Sequence, residues 1–385
     1  MRSAIDEFNG RRLQKALDSK MLSVQELSGL TDISTSMLYY LINNEKKPSH
    51  KNLNIIANTL NLPETFFFKD EPDKVAHSFF RSYKRSTKVL RLSIRTKLDL
   101  VSEIRDYLSS YVKFPVLNLP NFEELEDRDP RTISSQEVED FALRTRSFWG
   151  LSDGVITNTT LLLENNGIFL TRFLLGSQDI DALSRIDIDT KSVLILLSSD
   201  KNSNSRAKFD NIHELGHSVL HSRINPKYFD FEKKQNHNLL EEQANRFASS
   251  FLLPEISFTR DFSYPTLESF KALKTKWKVS IGLLIYRSRQ LGLINDRTFK
   301  NLQINVSRRG WRKSEPLENI IQEETPSLAR QAFELVFDEK LLLVSKMEND
   351  LGLHQDEIEK ICGLEKGFFN KYKTDSDRPK LRLVK

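Results

Sequence analysis

A single cysteine, Cys362, stands among 385 residues, so no intramolecular disulfide can form, and the thiol content suits a reducing compartment. On its own, Cys362 reads as a packed apolar residue. Long apolar runs are missing as well. The most apolar strand-like run, "VLILL" at 193–197, falls far short of the roughly 20 residues a membrane helix needs, and "MRSAIDEFNG" has no apolar stretch of signal-peptide length. These absences predict a cytoplasmic location and no membrane partner. Low-complexity tracts and repeats of fixed period are also absent, which argues against solenoid architecture.

What is present suits a globular chain, with 38% hydrophobic and 29% charged residues. The length predicts two or three folded units. The formal net charge of +5 is uneven, because residues 81–113 hold nine Lys or Arg against three acids. That local excess matters more than the total.

Between residues 8 and 68, apolar positions recur at helical spacing: Leu13, Leu17, Leu22, Leu27, Leu30, Ile33, Leu38, Leu41, Leu53, Ile56, Ala57 and Leu60. Ser23 and Ser34 can cap helix starts, and "NNEKKPS" breaks the third helix before a fourth begins. The short "LTDIS" turn between the second and third helices is a helix-turn-helix layout, and this segment resembles the XRE (lambda-repressor-like) DNA-binding family. On that match Ser34, Thr35, Ser36, Tyr39 and Tyr40 face the major groove of double-stranded DNA, with Asn43, Asn44 and Lys46 near the backbone. Two positions depart from the pattern: Val24 stands where a groove-facing Gln is common, and Asp32 where the turn Gly is usual. A surplus of only two basic residues in the first sixty gives modest phosphate attraction, so affinity calls for a homodimer or help from the next segment.

That segment, "FFRSYKRSTKVLRLSIRTKLDLVSEIRDYLSSYV", reads as a long connecting helix. One face carries Leu90, Ile94, Leu98, Val101 and Leu108, and another carries Arg81, Lys84, Lys88, Arg91 and Arg95. "FPVLNLPNFEELEDRDP" ends it. From 136 to about 200 the pattern is mixed, with helices in "SSQEVEDFALRTRSFWGL" and "NTTLLLENNG" followed by strands in "IFLTRFLL", "IDALSRI" and "SVLILLSS". After 326 the chain is helical again and shows no recognisable chemistry.

The stretch that carries chemistry is "FDNIHELGHSVLHS". On a helix, His213 and His217 project from one face one turn apart and can hold one metal ion. Glu214, one step round, can take a proton from water whose acidity the ion has raised. Phe209, Ile212, Val219 and Leu220 supply packing, and Gly216 permits a close approach. A third ligand is required. The metzincin continuation fails, because Arg223 occupies its third His position. "LLEEQANRFASSFLLP" is a better source: on its helix Glu241 can ligate while Asn245, one turn on, hydrogen-bonds a ligand histidine from behind, with Glu242 as the fallback.

HELGH followed by E-x-x-A-N-x-F-A resembles the ImmA/IrrE metallopeptidase family. The likeness extends through "FWGL", "DIDALSRI", "FLLP", "LKTKWKVSIGLLIYRSRQLGLI" and "GWRKSEP", covering about residues 145–315. The resemblance implies a gluzincin-like site with Zn2+ on His213, His217 and Glu241, and Glu214 as general base. It also implies a protein substrate, either a helix-turn-helix repressor or the chain itself. Asp210 and Asn211 depart from the usual Thr and apolar residue, which could alter the cleft.

The expected fold is α+β, in four parts. They are an all-α helix-turn-helix bundle (1–70), a basic helical connector (71–135), a central zincin-like domain with a small sheet (136–325) and a helical C-terminal region (326–385). The leading functional expectation is a regulatory zinc metallo-endopeptidase tethered to a DNA-binding module and controlling gene expression. Its rival is a non-hydrolytic regulator whose peptidase-like domain senses a ligand, metal or partner protein. A third reading makes the helix-turn-helix a protein-docking unit.

Overall fold

The structure, a computed structural model, describes residues 7–71, 77–80, 87–176, 182–187, 192–200, 203–225, 229–231 and 233–373. Four helices come first: α1 (Gly10–Lys20), α2 (Val24–Thr31), α3 (Thr35–Ile42) and α4 (His50–Leu60). Their starts are set by local caps, since Asn9, Ser23, Ser34 and Ser49 each accept a hydrogen bond from a backbone N–H in the first turn. Asp32 closes the turn between α2 and α3 at φ 56°, a left-handed conformation that Asp tolerates better than most residues. The missing turn glycine therefore leaves the turn intact. Gly10 has a stricter role: a Cβ there would lie 2.1 Å from the carbonyl oxygen of Leu41, so only glycine lets α1 begin against the end of α3.

Strand β1 (His77–Phe80) precedes helix α5 (Lys88–Leu108). Phe79 and Phe80, expected at the head of the basic helix, are thus extended. Arg81 and Lys84 lie outside the described residues. Of the rest of the basic stripe, Lys88 and Arg95 are exposed and Arg91 is half-buried. The opposite face of α5 is deeply buried, with Ile94, Leu98, Val101 and Leu108 inaccessible to solvent.

The central part contains α6 (Ser135–Phe148), α7 (Thr159–Asn165), the strands β2 (Ile168–Phe173), β3 (Ala182–Asp187) and β4 (Ser192–Ser198), then α8 (Asn204–Leu220) and α9 (Lys234–Leu252). The sheet runs β1-β3-β4-β2, with β2 parallel to β4, β3 antiparallel to β4 and β1 antiparallel to β3. The three strands of this part fall on the strand-like runs of the sequence, and the class is mixed α+β as expected. Helices α10 (Glu255–Asp261), α11 (Leu267–Trp277), α12 (Ile281–Gln290) and α13 (Asp296–Arg308) follow. The last three helices are α14 (Leu328–Asp338), α15 (Val344–Leu351) and α16 (Gln355–Ile361).

Period-two alternation splits the sheet between two cores. Leu170, Ile186, Val193, Ile195 and Leu197 join α6, α8, α9, α11 and α12 on one face. Phe169, Phe173, Leu183, Leu194 and Leu196 join α5, the N-terminal helices and α14 to α16 on the other. No helix among the described residues is long and apolar enough to cross a membrane.

Between residues 315 and 324, three glutamates cap helix N-termini. Glu315 accepts from the amides of Ile281 and Gly282 at the start of α12, Glu318 accepts from the amide and hydroxyl of Ser205 at the start of α8, and Glu324 accepts from the amides of Thr159 and Thr160 at the start of α7. Buried Lys274 bridges Glu315 and Glu318 at 2.8 and 2.5 Å, and buried Lys208 pairs with Glu324 at 2.9 Å.

The N-terminal helices are tied to α5 by a four-charge cluster. Arg12 and Lys15 each contact both Glu71 and Glu103, at 2.6 to 2.9 Å. Burial opposes ionisation of Glu103, yet the two cations and their hydrogen bonds outweigh it and hold its carboxyl below the usual value. A carboxyl depressed in the folded state contributes stability above its unfolded value and loses it as the pH falls through the folded one. Glu103→Gln should therefore cost about 1 to 3 kcal/mol in urea unfolding at neutral pH. The gap to wild type should close as the pH is lowered past the folded value, and a gap that persists there would show that Glu103 acts through packing.

Candidate metal centre

Helices α8 and α9 pack side by side, and Gly216 sets how closely. A Cβ at that position would lie 3.2 Å from the Phe247 ring and 3.3 Å from the Cα of Ala244, tighter than side chains normally allow. The approach carries Glu241 of α9 to the two histidines of α8. His213 Nε2 and His217 Nε2 are 3.1 Å apart, and Glu241 oxygens lie 3.2 Å from His217 Nε2 and 3.6 Å from His213 Nε2. One ligand atom from each residue falls within 4.8 Å of the others, and both histidines are buried. Glu242, the fallback, is exposed.

The outer nitrogens of the rings are also held. Asn245 Oδ1 lies 3.0 Å from His213 Nδ1, the position expected of it from the sequence. A longer chain supports His217: its Nδ1 is 2.9 Å from His221 Nδ1, His221 Nε2 is 3.0 Å from Gln243 Oε1, and Gln243 Nε2 donates to the carbonyl of Pro130 at 2.8 Å. Because the Gln243 amide donates to Pro130, its oxygen accepts, which assigns the proton of His221 to Nε2. His221 Nδ1 then accepts from His217 Nδ1. Complete burial, with His217 beside it, pushes the His221 pKa well below the ordinary histidine value, in keeping with this neutral tautomer.

With both Nδ1 atoms acting as donors, the Nε2 atoms of His213 and His217 turn lone pairs toward the same point as the Glu241 carboxylate. Two lone pairs and an anion converging at these distances suit a cation, so the donor set fits a metal ion. Glu214 is fully buried on the same helix. Beside the cluster lies a cavity of about 600 Å³, lined by Phe209, Asn245, Leu283, Tyr286, Val306 and Trp311 among others. The Phe209 ring centroid is 6.0 Å from that of His213, which puts the cavity next to the cluster of His213, His217 and Glu241.

The unusual Asn211 is buried and faces α7 instead, where its Nδ2 donates to the hydroxyls of Thr159 and Thr160 at 2.9 Å. It thereby joins the network of Glu324 and Lys208. His221 and Gln243 were missed in the sequence, although His221 follows His217 at the same interval that separates His217 from His213 and so shares their face.

In the N-terminal unit, Ser34, Ser36, Tyr39, Tyr40 and Asn43 are exposed on and around α3, and Thr35 is half-buried. Lys46 Nζ sits 4.4 Å from the centre of the Tyr40 ring. Asn44 is used within the fold, its Oδ1 accepting from the Gly10 amide at 2.7 Å. Val24 is buried.

Residues 163–289 match the family model described as the IrrE N-terminal-like domain, a peptidase family, and residues 13–67 match the helix-turn-helix model. The first match takes in β2 to β4, the candidate metal cluster of His213, His217 and Glu241, and the helices up to α12. A search of the curated proteins finds no match.

Because Gly216 sets the α8–α9 separation, Gly216→Val should destabilise the chain by about 1 to 3 kcal/mol through overpacking. Denaturant unfolding checks the value, and an unchanged midpoint would show that the helices have room to part.

Proposed function

We propose that the chain is a regulatory zinc-dependent endopeptidase of zincin-like, gluzincin type, held at its locus by the helix-turn-helix. The observation that carries this reading is the convergence of His213, His217 and Glu241 at one point, with Glu214 buried on the same helix. His213, His217 and Glu241 would hold a zinc ion, which would supply Lewis acidity toward a peptide carbonyl and water. Glu214 then acts as the base: its carboxylate takes a proton from the attacking water and passes it to the amide nitrogen as the C–N bond breaks. The water oxygen ends in the new carboxyl group and Glu214 is restored. Asn245 and His221 keep the two imidazoles in the tautomer that directs Nε2 inward. The cavity beside His213 receives the peptide.

A fused DNA-reading unit gives a general protease little purpose, whereas it brings a selective one to proteins at a promoter. The substrate in this reading is a helix-turn-helix repressor or the chain itself. In the N-terminal unit, Ser34, Thr35, Ser36, Tyr39, Tyr40 and Asn43 are the side chains offered to duplex DNA, with the protein bound as a dimer.

Three variants separate the roles at the metal site. Glu241→Ala should lower the zinc content of purified protein sharply, Glu242→Ala should leave it unchanged, and Glu214→Gln should keep both zinc and fold while losing cleavage. The cleavage readout is new protein termini formed on co-expression with neighbouring repressors. Wild-type zinc content in Glu241→Ala would remove the site, and cleavage that survives in Glu214→Gln would assign the activity elsewhere. A wild-type chain that binds zinc and cleaves nothing would make the domain a sensor.

For DNA, Ser36→Ala and Tyr40→Ala should each weaken retention of a specific duplex by about 1 to 3 kcal/mol without changing its salt dependence. Lys46→Ala should lower the salt slope by about one. Equal losses on every sequence for Ser36→Ala and Tyr40→Ala would place those residues at the phosphates instead.

A further inference from the structure

We propose that residues 328–372 are a second helix-turn-helix unit, whose reading-position helix grips the chain's own N-terminal module and sheet instead of DNA. The correspondence is one of position. Helix α2 spans Val24–Thr31 and α15 spans Val344–Leu351; α3 begins at Thr35 and α16 at Gln355; these three boundaries of the second unit lie 320 residues beyond their counterparts. At that offset the buried side chains coincide, Val24 with Val344, Leu27 with Met347, Leu38 with Ile358 and Leu41 with Ile361. The turn residue between the two helices is left-handed in both units, Asp32 at φ 56° and Gly352 at φ 65°.

The helices before them also end alike. Met21 and Lys340 both take positive φ, and the following residues, Leu22 and Leu341, each donate to the carbonyl five residues back. A short 3-10 helix, Phe368–Tyr372, follows α16 near the register at which α4 follows α3. What recurs is the spacing of buried positions and the turn geometry rather than residue identity, so this repeat does not show as a period in the sequence.

The two reading-position helices are used differently. Tyr39 of α3 is 47% exposed, whereas its counterpart Glu359 is 3% exposed; Tyr40 and its counterpart Lys360 are both exposed. Its carboxylate accepts from the amides of Gly367 and Phe369. Glu357 reaches Lys20 of α1 at 2.9 Å. The carbonyl of Ile361 accepts from the Thr171 hydroxyl of β2 at 2.6 Å, and a Cβ on Gly363 would lie 2.5 Å from the Arg172 carbonyl oxygen. The turn touches the other module, since a Cβ on Gly352 would lie 2.6 Å from the Cα of Phe66. Charge agrees with contact: residues 10–60 carry seven Lys or Arg against four acids, while residues 328–372 carry six against nine, a balance that repels phosphate. The unit is therefore an intramolecular clamp between the DNA-reading module and the sheet of the metal-site domain.

The test uses the full-length chain and the sole cysteine, Cys362, which is buried at the end of α16. Gly352→Asn keeps a residue suited to the left-handed turn, so the second unit retains its own fold, but its Cβ pushes against Phe66. Lys20→Ala is a milder variant that removes the partner of Glu357. Under the proposal, Gly352→Asn raises maleimide labelling of Cys362 by about tenfold or more. It also speeds amide exchange to a similar degree in the 3-10 helix Glu64–Phe68 and in α1, while α14 and α15 stay protected. Lys20→Ala moves the same amides less. If exchange in both variants rises only within 328–372, or if Cys362 labelling and the amides of α1 stay at wild-type rates in both, the unit is not a clamp and the proposal fails.

Discussion

Glu241 meets His213 and His217 across a close crossing of α8 and α9, at which Gly216 stands. Gly216 faces Ala244 and Phe247 at that crossing, and an added Cβ would lie 3.2 to 3.3 Å from them, so a neighbour would have to give by a few tenths of an ångström. The consequence reaches past the ligands. Gln243 must reach His221 and Asn245 must reach His213 across the same interface, so a single helix separation sets both the inner donors and the groups that orient them. Hydrogen bonds of this kind tolerate a few tenths of an ångström. The close crossing is a condition for the whole arrangement.

The sheet turns this local geometry into a property of the chain. Its strands present alternate side chains to two cores, one holding α8 and α9 and the other holding α5, the N-terminal unit and the last three helices. A packed sheet transmits displacement rather than absorbing it, because its interior is as dense as a crystal. A change on the DNA-reading side therefore has a physical route to the face carrying α8. The route runs through β2, which meets α16 at Thr171 and Gly363.

Much of the site was legible in the sequence, for reasons of periodicity. The interval between His213 and His217, and that between Glu241 and Asn245, are each one helical turn, so each pair had to share a face. The three strands β2 to β4 were legible from their short apolar runs, and the N-terminal bundle from its caps and apolar spacing. What escaped depends on contacts between distant segments. His221 gains meaning only when Gln243 arrives from another helix, and Asn211 only when Thr159 and Thr160 do. β1 was hidden because two phenylalanines ahead of a basic stretch continue a helical pattern equally well, and their extended state comes from pairing with β3, a hundred residues on. Asp32 shows the converse: an apparent break in the turn pattern had no structural effect, because Asp can adopt the conformation glycine would have supplied.

The segment joining α13 to α14 shows how such distant contacts can be built cheaply. A helix N-terminus leaves amides without intrahelical partners, and a buried one must find acceptors. Glu315, Glu318 and Glu324 serve α12, α8 and α7 in turn, each placing negative charge where the helix dipole favours it. Lys274 and Lys208 neutralise these carboxylates in the interior, so the buried charges are paired. Immediately afterwards Glu164 of α7 accepts from the amides of Ser327 and Leu328, which starts α14 against the same helix that Glu324 caps. The last helices are thus anchored at their beginning by α7 and at their end by β2. A unit held at both ends against the domain that carries His213 and His217, and touching Phe66 and Lys20 between, is placed to couple that domain to the N-terminal helix-turn-helix, as the clamp proposal requires.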